Sequence, residues 1–173
     1  WRWTVADLTI TASQVKAGLV FDIGANTGFY SRMVAEEADC VAFDSDPACV
    51  NELYLQERER DGSRILPLVM DLANPTPALG FELKSTMSLF DRPKADLVLC
   101  LALIHHLRVS ANLPFRRIAE CLARLGKTAL VEFVPLTDPA VSSLTSRWSD
   151  FNDYHTAGFL GAFLEFFELC ASR

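Results

Sequence analysis

The sequence predicts an α/β fold, a mostly parallel β-sheet with helices on both faces. Three observations carry this expectation. Short apolar runs of strand length alternate with stretches of helical spacing along the chain. The first of these runs ends in a glycine turn and the next two in aspartate. The run 97–104 is apolar throughout, the pattern of a strand covered on both faces. Alternation of strands and helices builds a parallel sheet through crossover connections.

The elements follow in order. Leu19-Val20-Phe21-Asp22-Ile23 reads as a buried strand running into the turn Gly24-Ala25-Asn26-Thr27-Gly28. A helix is expected over 29–38, then a strand over 40–43 that ends at Asp44. Asp46-Pro47 is an N-cap followed by proline in the first turn, and opens a helix to about residue 60. The third strand, 64–70, ends at Asp71. Pro67 within it cannot donate to a ladder, so this should be an edge strand. Residues 74–94 are irregular, with one helix expected over 85–90. The fourth strand is expected over 96–104. A helix over 114–125 carries Phe115, Ile118, Leu122 and Leu125 on one stripe and stops at Gly126. A fifth strand over 128–134 and a last helix over 156–168 complete the chain. Residues 167–170 are a possible sixth strand.

The 173 residues are expected to form one domain, with 1–17 as an N-terminal flap or helix, 18–134 as the core and 135–173 as a substrate-side loop and last helix. Half the residues are apolar, enough for a proper core. The net charge of −6 repels phosphate backbones, so nucleic acid is not an expected partner. No apolar run approaches the roughly 18 residues of a membrane span. The five cysteines are dispersed, with no C-x-x-C pair, and read as free thiols of a cytoplasmic protein; no metal is expected.

In sheets of this kind ligands sit outside the carboxyl ends of the strands, at the switch in strand order. That rule gathers Gly24, Asp44, Asp71 and the segment after residue 104 at one rim. Glycines after a first strand let the backbone turn tightly and approach a ligand. A nicotinamide-dinucleotide site wants G-x-G-x-x-G, but from Gly24 the required glycines are replaced by Asn26 and Phe29. Asp44 can accept both hydroxyls of a ribose. Asp71 can accept from an adenine amino group, or is a turn aspartate.

The run 20–28, with Phe43-Asp44, Met70-Asp71 and Ala95-Asp96-Leu97-Val98, resembles the class I S-adenosylmethionine-dependent methyltransferases. The resemblance covers about 18–134, and its specificity lies in the combination of motif and spacing. Leu101-Ala102-Leu103-Ile104-His105-His106-Leu107 and Glu132-Phe133-Val134-Pro135 are similar, more particularly, to a bacterial subgroup related to nodulation proteins. The resemblance implies a Rossmann-like sheet, with S-adenosylmethionine as cofactor and S-adenosylhomocysteine as product. It places Asp22, Gly24 and Gly28 along the methionine end, with Ala25, Asn26 and Phe29 also among the cofactor-binding residues. Asp44 and Ser45 go to the ribose, and Asp71 and Leu72 to the adenine. Leu101 and Ala102, just past the middle of the fourth strand, would reach the methionine moiety through backbone groups. Members of this class usually have a carboxyl-terminal hairpin, which is expected to be missing, disordered or removed here.

The catalytic candidates are His105, His106 and Glu132. Adjacent histidines point in different directions, so one of them acts as base or substrate contact, or both are structural. Glu132, inside an apolar strand, faces a substrate pocket or pairs with an arginine or histidine. Residues 150–155 are a lid or a solvated connection, and Trp1 and Trp3 belong to a flap or pack on the surface. The expected activity is methyl transfer to an oxygen or nitrogen of a small-molecule or glycan-like acceptor. The alternatives are a non-catalytic cofactor-binding or interaction module and, less favoured, a nicotinamide-dependent oxidoreductase.

Overall fold

The computed structural model describes residues 14–138, 141 and 151–170. Five strands, β1 (Leu19–Ile23), β2 (Asp39–Asp44), β3 (Ile65–Val69), β4 (Ala95–Cys100) and β5 (Gly126–Val131), form one sheet in the order β3-β2-β1-β4-β5. All four neighbouring pairs are parallel. β3 is an edge strand, with Pro67 opposite Ala42, as its missing N–H requires. The switch in strand order falls between β1 and β4.

Strand alternation sends successive side chains to opposite faces. On one face Val20, Cys40, Leu97 and Leu99 pack with Val34 of helix α1 (Phe29–Val34). On the other, Phe21, Ile23, Phe43, Val98 and Cys100 pack under α3 (Phe115–Leu125) and α4 (Thr156–Phe163). Helix α2 (Pro47–Arg58) begins as expected: Asp46 is its N-cap and accepts from the Ala48 N–H at 2.8 Å. Burial pushes the thiols of Cys40 and Cys100 well above the ordinary range.

Several boundaries differ from the sequence reading. The segment between β3 and β4 holds no helix at 85–90; it makes 3₁₀ turns at Phe81–Leu83 and Leu89–Asp91 and one bridge between Leu79 and Thr86. The Ser85 and Thr86 N–H groups donate to the Leu79 carbonyl at 3.0 and 3.2 Å, which ties the start of 85–90 into the bridge instead of a helix. β4 stops at Cys100 rather than continuing to residue 104, because Ala102 turns to φ +51°. Leu101 and Ala102 therefore lie beyond the strand, not within it. β5 stops at Val131, so Glu132 is just past its end. Gly126 is no left-handed stop but the extended first residue of β5, at φ −148°. A Cβ there would meet Val98 Cγ2 at 2.4 Å, so only glycine lets α3 run straight into β5. Residues 167–170 form no strand, and α4 ends at Phe163. Trp1, Trp3 and Asp150 lie outside the described residues.

Asp96 joins the sheet at its amino end. It accepts from the N–H groups of Gly18 and Leu19 at 2.9 and 3.1 Å and from Lys127 Nζ at 2.6 Å. The Lys127 contact, with the two amides, holds its carboxyl down at about 2. Among the described residues no helix is long and apolar enough to cross a membrane, and no His, Cys, Asp and Glu cluster is arranged for a metal ion.

Candidate active site

The rim at the carboxyl ends of the strands is built outward from β1. Asp22 faces α1, because Asp22 and Val20 share that side of the strand. Its carboxylate is 2% exposed and accepts from Ser31 Oγ at 2.6 Å. Burial outweighs that hydrogen bond and raises its pKa to about 6. Asp22 thus lies beneath the glycine turn and braces it from the α1 side.

The turn itself needs left-handed backbone at Gly24 (φ +79°), Asn26 (φ +51°) and Gly28 (φ +81°). Asparagine tolerates this region better than most side chains, and Asn26 Oδ1 accepts from the Thr27 N–H at 2.8 Å. Gly28 is doubly fixed, since a Cβ there would lie 2.4 Å from Leu53 Cδ1 of α2. The N–H groups of Gly24 and Ala25 both donate to the Phe43 carbonyl at 2.9 Å, which closes the turn on β2.

Asp44, at the end of β2, completes that closure. Its Oδ2 accepts from the Asn26 N–H at 2.7 Å and its Oδ1 from the Asp46 N–H at 2.9 Å. Ser45 is exposed beside it. The Met70 N–H donates to the Asp44 carbonyl at 2.8 Å and brings the end of β3 alongside. Asp71 follows there, exposed, with Oδ1 accepting from the Ala73 N–H at 2.8 Å in a local turn. Leu72 is buried in the core.

Beyond β4, Leu101 is buried and Ala102 is exposed. The Ala102 N–H donates to Glu132 Oε2 at 2.8 Å. The structure thus gives Glu132 a backbone amide as partner, rather than the arginine or histidine pairing considered from sequence. His105 and His106 follow at the start of a π-helical turn, His106–Ser110, with ring centroids 4.2 Å apart. His105 is buried, its Nδ1 has no hydrogen-bond partner among the described residues, and burial and then His106 push its pKa down to about 4. His106 is exposed.

Two further placements bear on the site expected on sequence. The Phe29 ring lines an open hollow of about 430 Å³ that extends past Arg32 and Met33 to 60–65, at the amino end of β3. In the described part of 150–155, Asn152 and His155 are exposed and Tyr154 is buried. Tyr154 donates from its hydroxyl to the Val134 carbonyl at 2.8 Å, and His155 Nδ1 accepts from the Gly158 N–H to cap α4. Asp153 accepts three hydrogen bonds from buried Arg108, two from Nε and one from Nη2, and the guanidinium also stacks 4.6 Å from the Phe151 ring centroid. Sequence reasoning also missed Ser31 and Leu103. A signal existed for Ser31, because it lies three residues before Val34 on the inward stripe of α1. None existed for Leu103, whose side chain would sit 3.3 Å from a Cβ placed on Gly24.

A parallel 3-2-1-4-5 sheet with a glycine turn after its first strand and acidic residues after the next two is a Rossmann-like fold, which solved methyltransferases share. The chain is similar to nodulation protein NoeA of Rhizobium meliloti (strain 1021), 29% identical over 153 residues. These cover 87% of this chain and 32% of NoeA, so the chain spans about a third of the length of that relative. Among solved structures it is similar to the N-methyltransferase NodS from Bradyrhizobium japonicum WM9. That match has a TM-score of 0.59 and 11% identity, over 93% of this chain and 77% of NodS. It is also similar to magnesium protoporphyrin IX methyltransferase (ChlM) from Synechocystis PCC 6803, solved with bound S-adenosylhomocysteine. There the TM-score is 0.54 at 21% identity, over 82% of this chain and 58% of ChlM. No family model matches the chain.

Proposed function

We propose that this domain is an S-adenosylmethionine-dependent methyltransferase, moving a methyl group to an oxygen or nitrogen of a small-molecule or glycan-like acceptor. The observation that carries the reading is the rim at the switch point, where the left-handed glycine turn is hydrogen-bonded to Asp44 and Asp71 follows on the next strand.

The donor set fits the cofactor. An ionised carboxylate offers about four lone-pair sites, so Asp44 can hold the Asn26 and Asp46 amides and still accept ribose hydroxyls. Asp71 keeps Oδ2 for an amino donor while Oδ1 holds Ala73. Gly24, Ala25, Asn26 and Gly28 offer backbone without bulk, and the carbonyls of Leu101 and Ala102 can take a cationic amine. Ser45 and the backbone of Leu72 border the same positions, and Phe29 contributes the start of α1.

When bound, the cofactor supplies a sulfonium methyl, which makes transfer an in-line displacement. The protein's part is alignment, which can contribute roughly 7–11 kcal/mol, and removal of a proton from the acceptor. His106 is the exposed imidazole on this rim and takes that proton; His105, neutral and buried, supports the turn beneath it. The acidic net charge disfavours nucleic acid as acceptor. ChlM's protoporphyrin and the N-methyl chemistry in the name of NodS support a small acceptor.

Calorimetry with S-adenosylhomocysteine tests the reading. Binding at micromolar concentrations is expected, and no heat at millimolar ligand would remove it. His106→Ala should leave that affinity unchanged and lower kcat by about 10²-fold with a competent acceptor.

A further inference from the structure

The geometry points to Glu132 as a positioning residue that holds the turn after β4 against the glycine turn, acting through the backbone and not as a base. The inference rests on the methyltransferase reading above.

Ala102 is a non-glycine residue at φ +51°, a left-handed region that is unfavourable for an L-side chain. The contact that holds it there is the charge-assisted hydrogen bond from its N–H to Glu132 Oε2 at 2.8 Å. Glu132 is well placed for this. Its own N–H donates to the Cys100 carbonyl at 3.0 Å, which extends the β4–β5 ladder one residue past β5 and sets Glu132 beside the turn. The turn then delivers Leu103 to Gly24, where a Cβ would meet both Leu103 methyl carbons at 3.3 Å. Glu132, Ala102, Leu103 and Gly24 form a continuous chain of contacts from the edge of the sheet to its switch point. The Ala102 amide is consumed within this chain, so the turn presents carbonyls to a ligand.

The test measures S-adenosylhomocysteine affinity by calorimetry, with circular dichroism as a check on folding. E132A should weaken binding about tenfold, the scale of one charge-assisted hydrogen bond. E132Q should bind within about threefold of wild type, because its amide oxygen accepts the same hydrogen bond. A102G in the E132A background should recover most of the loss, because glycine adopts the left-handed turn without a tether. Wild-type affinity in E132A, or E132Q as weak as E132A, would overturn the positioning role. If E132A does not fold, E132Q and the A102G/E132A double variant decide it by the same criteria. Failure of the wild type to bind is a different result, since it removes the methyltransferase reading itself.

Discussion

At the residue scale, the most informative side chain is Asp22. Its pKa of about 6, against 3.8 for the free group, means the native state holds a proton that the unfolded chain has lost across about pH 4–6. Stability from this group therefore falls as pH rises through that window. The full cost at neutral pH is about 3 kcal/mol by the conversion of pKa to free energy. Asp22→Asn keeps an acceptor for Ser31 Oγ and carries no charge. Its stability relative to wild type should rise by up to ~3 kcal/mol between pH 4 and pH 7, read from urea midpoints. A difference independent of pH would show that Asp22 is not the group responsible. Gly28 makes a second case. Gly28→Ala forces a side chain at φ +81° and 2.4 Å from Leu53 Cδ1, which should cost about 3 kcal/mol from backbone strain and overpacking together. Leu53→Ala should relieve the packing part only, leaving the backbone part visible in a double-mutant cycle.

At the element scale, the direct join of α3 to β5 depends on a missing methyl group. Gly126 has an extended backbone that alanine adopts freely, so Gly126→Ala acts only through its 2.4 Å approach to Val98 Cγ2 in β4. It should cost about 1–3 kcal/mol, and much less in a Val98→Ala background. Additive costs in urea denaturation would show that the Val98 contact is not the cause. The same junction shows what sequence reasoning could reach. α3 was legible because Phe115, Ile118, Leu122 and Leu125 repeat on one buried stripe, and α2 because Asp46-Pro47 announces a helix start. The ends of β4 and β5 were not legible. Residues 101–104 remain apolar after the strand has ended, and what ends it is a tether from Glu132, thirty positions along the chain. Hydropathy reports apolar character, which the strand and the partly buried turn after it share. Gly126 was read as a helix stop because the pattern before it is helical; its steric role involves a strand that no local window contains.

At the scale of the whole molecule, the strand order decides which residues meet. Asp22, Asp44 and Asp71 were legible as candidates because each follows or closes an apolar run, and a parallel sheet sends all such ends to one rim. Their separate duties were not legible, since burial depends on packing between elements: Asp22 sits under α1 while Asp44 and Asp71 reach the surface. That division makes Asp44 the place to test the site against the fold. Ligand at 100 times its Kd stabilises a native state by about 2.7 kcal/mol. For a domain of this size that is a rise in Tm of about 5–10 °C with saturating S-adenosylhomocysteine. Asp44→Ala removes the ribose acceptor along with two hydrogen bonds to exposed amides, those of Asn26 and Asp46. Water can replace the partners of exposed amides, so ligand-free stability should drop by only about 1 kcal/mol. A loss of about thirtyfold in affinity would leave the same ligand concentration near three times Kd, where stabilisation is roughly 0.8 kcal/mol and the shift about 2–3 °C. A wild-type shift retained in Asp44→Ala would mean that the ribose is held elsewhere, and the proposed orientation of the cofactor along the rim would have to be reversed or abandoned.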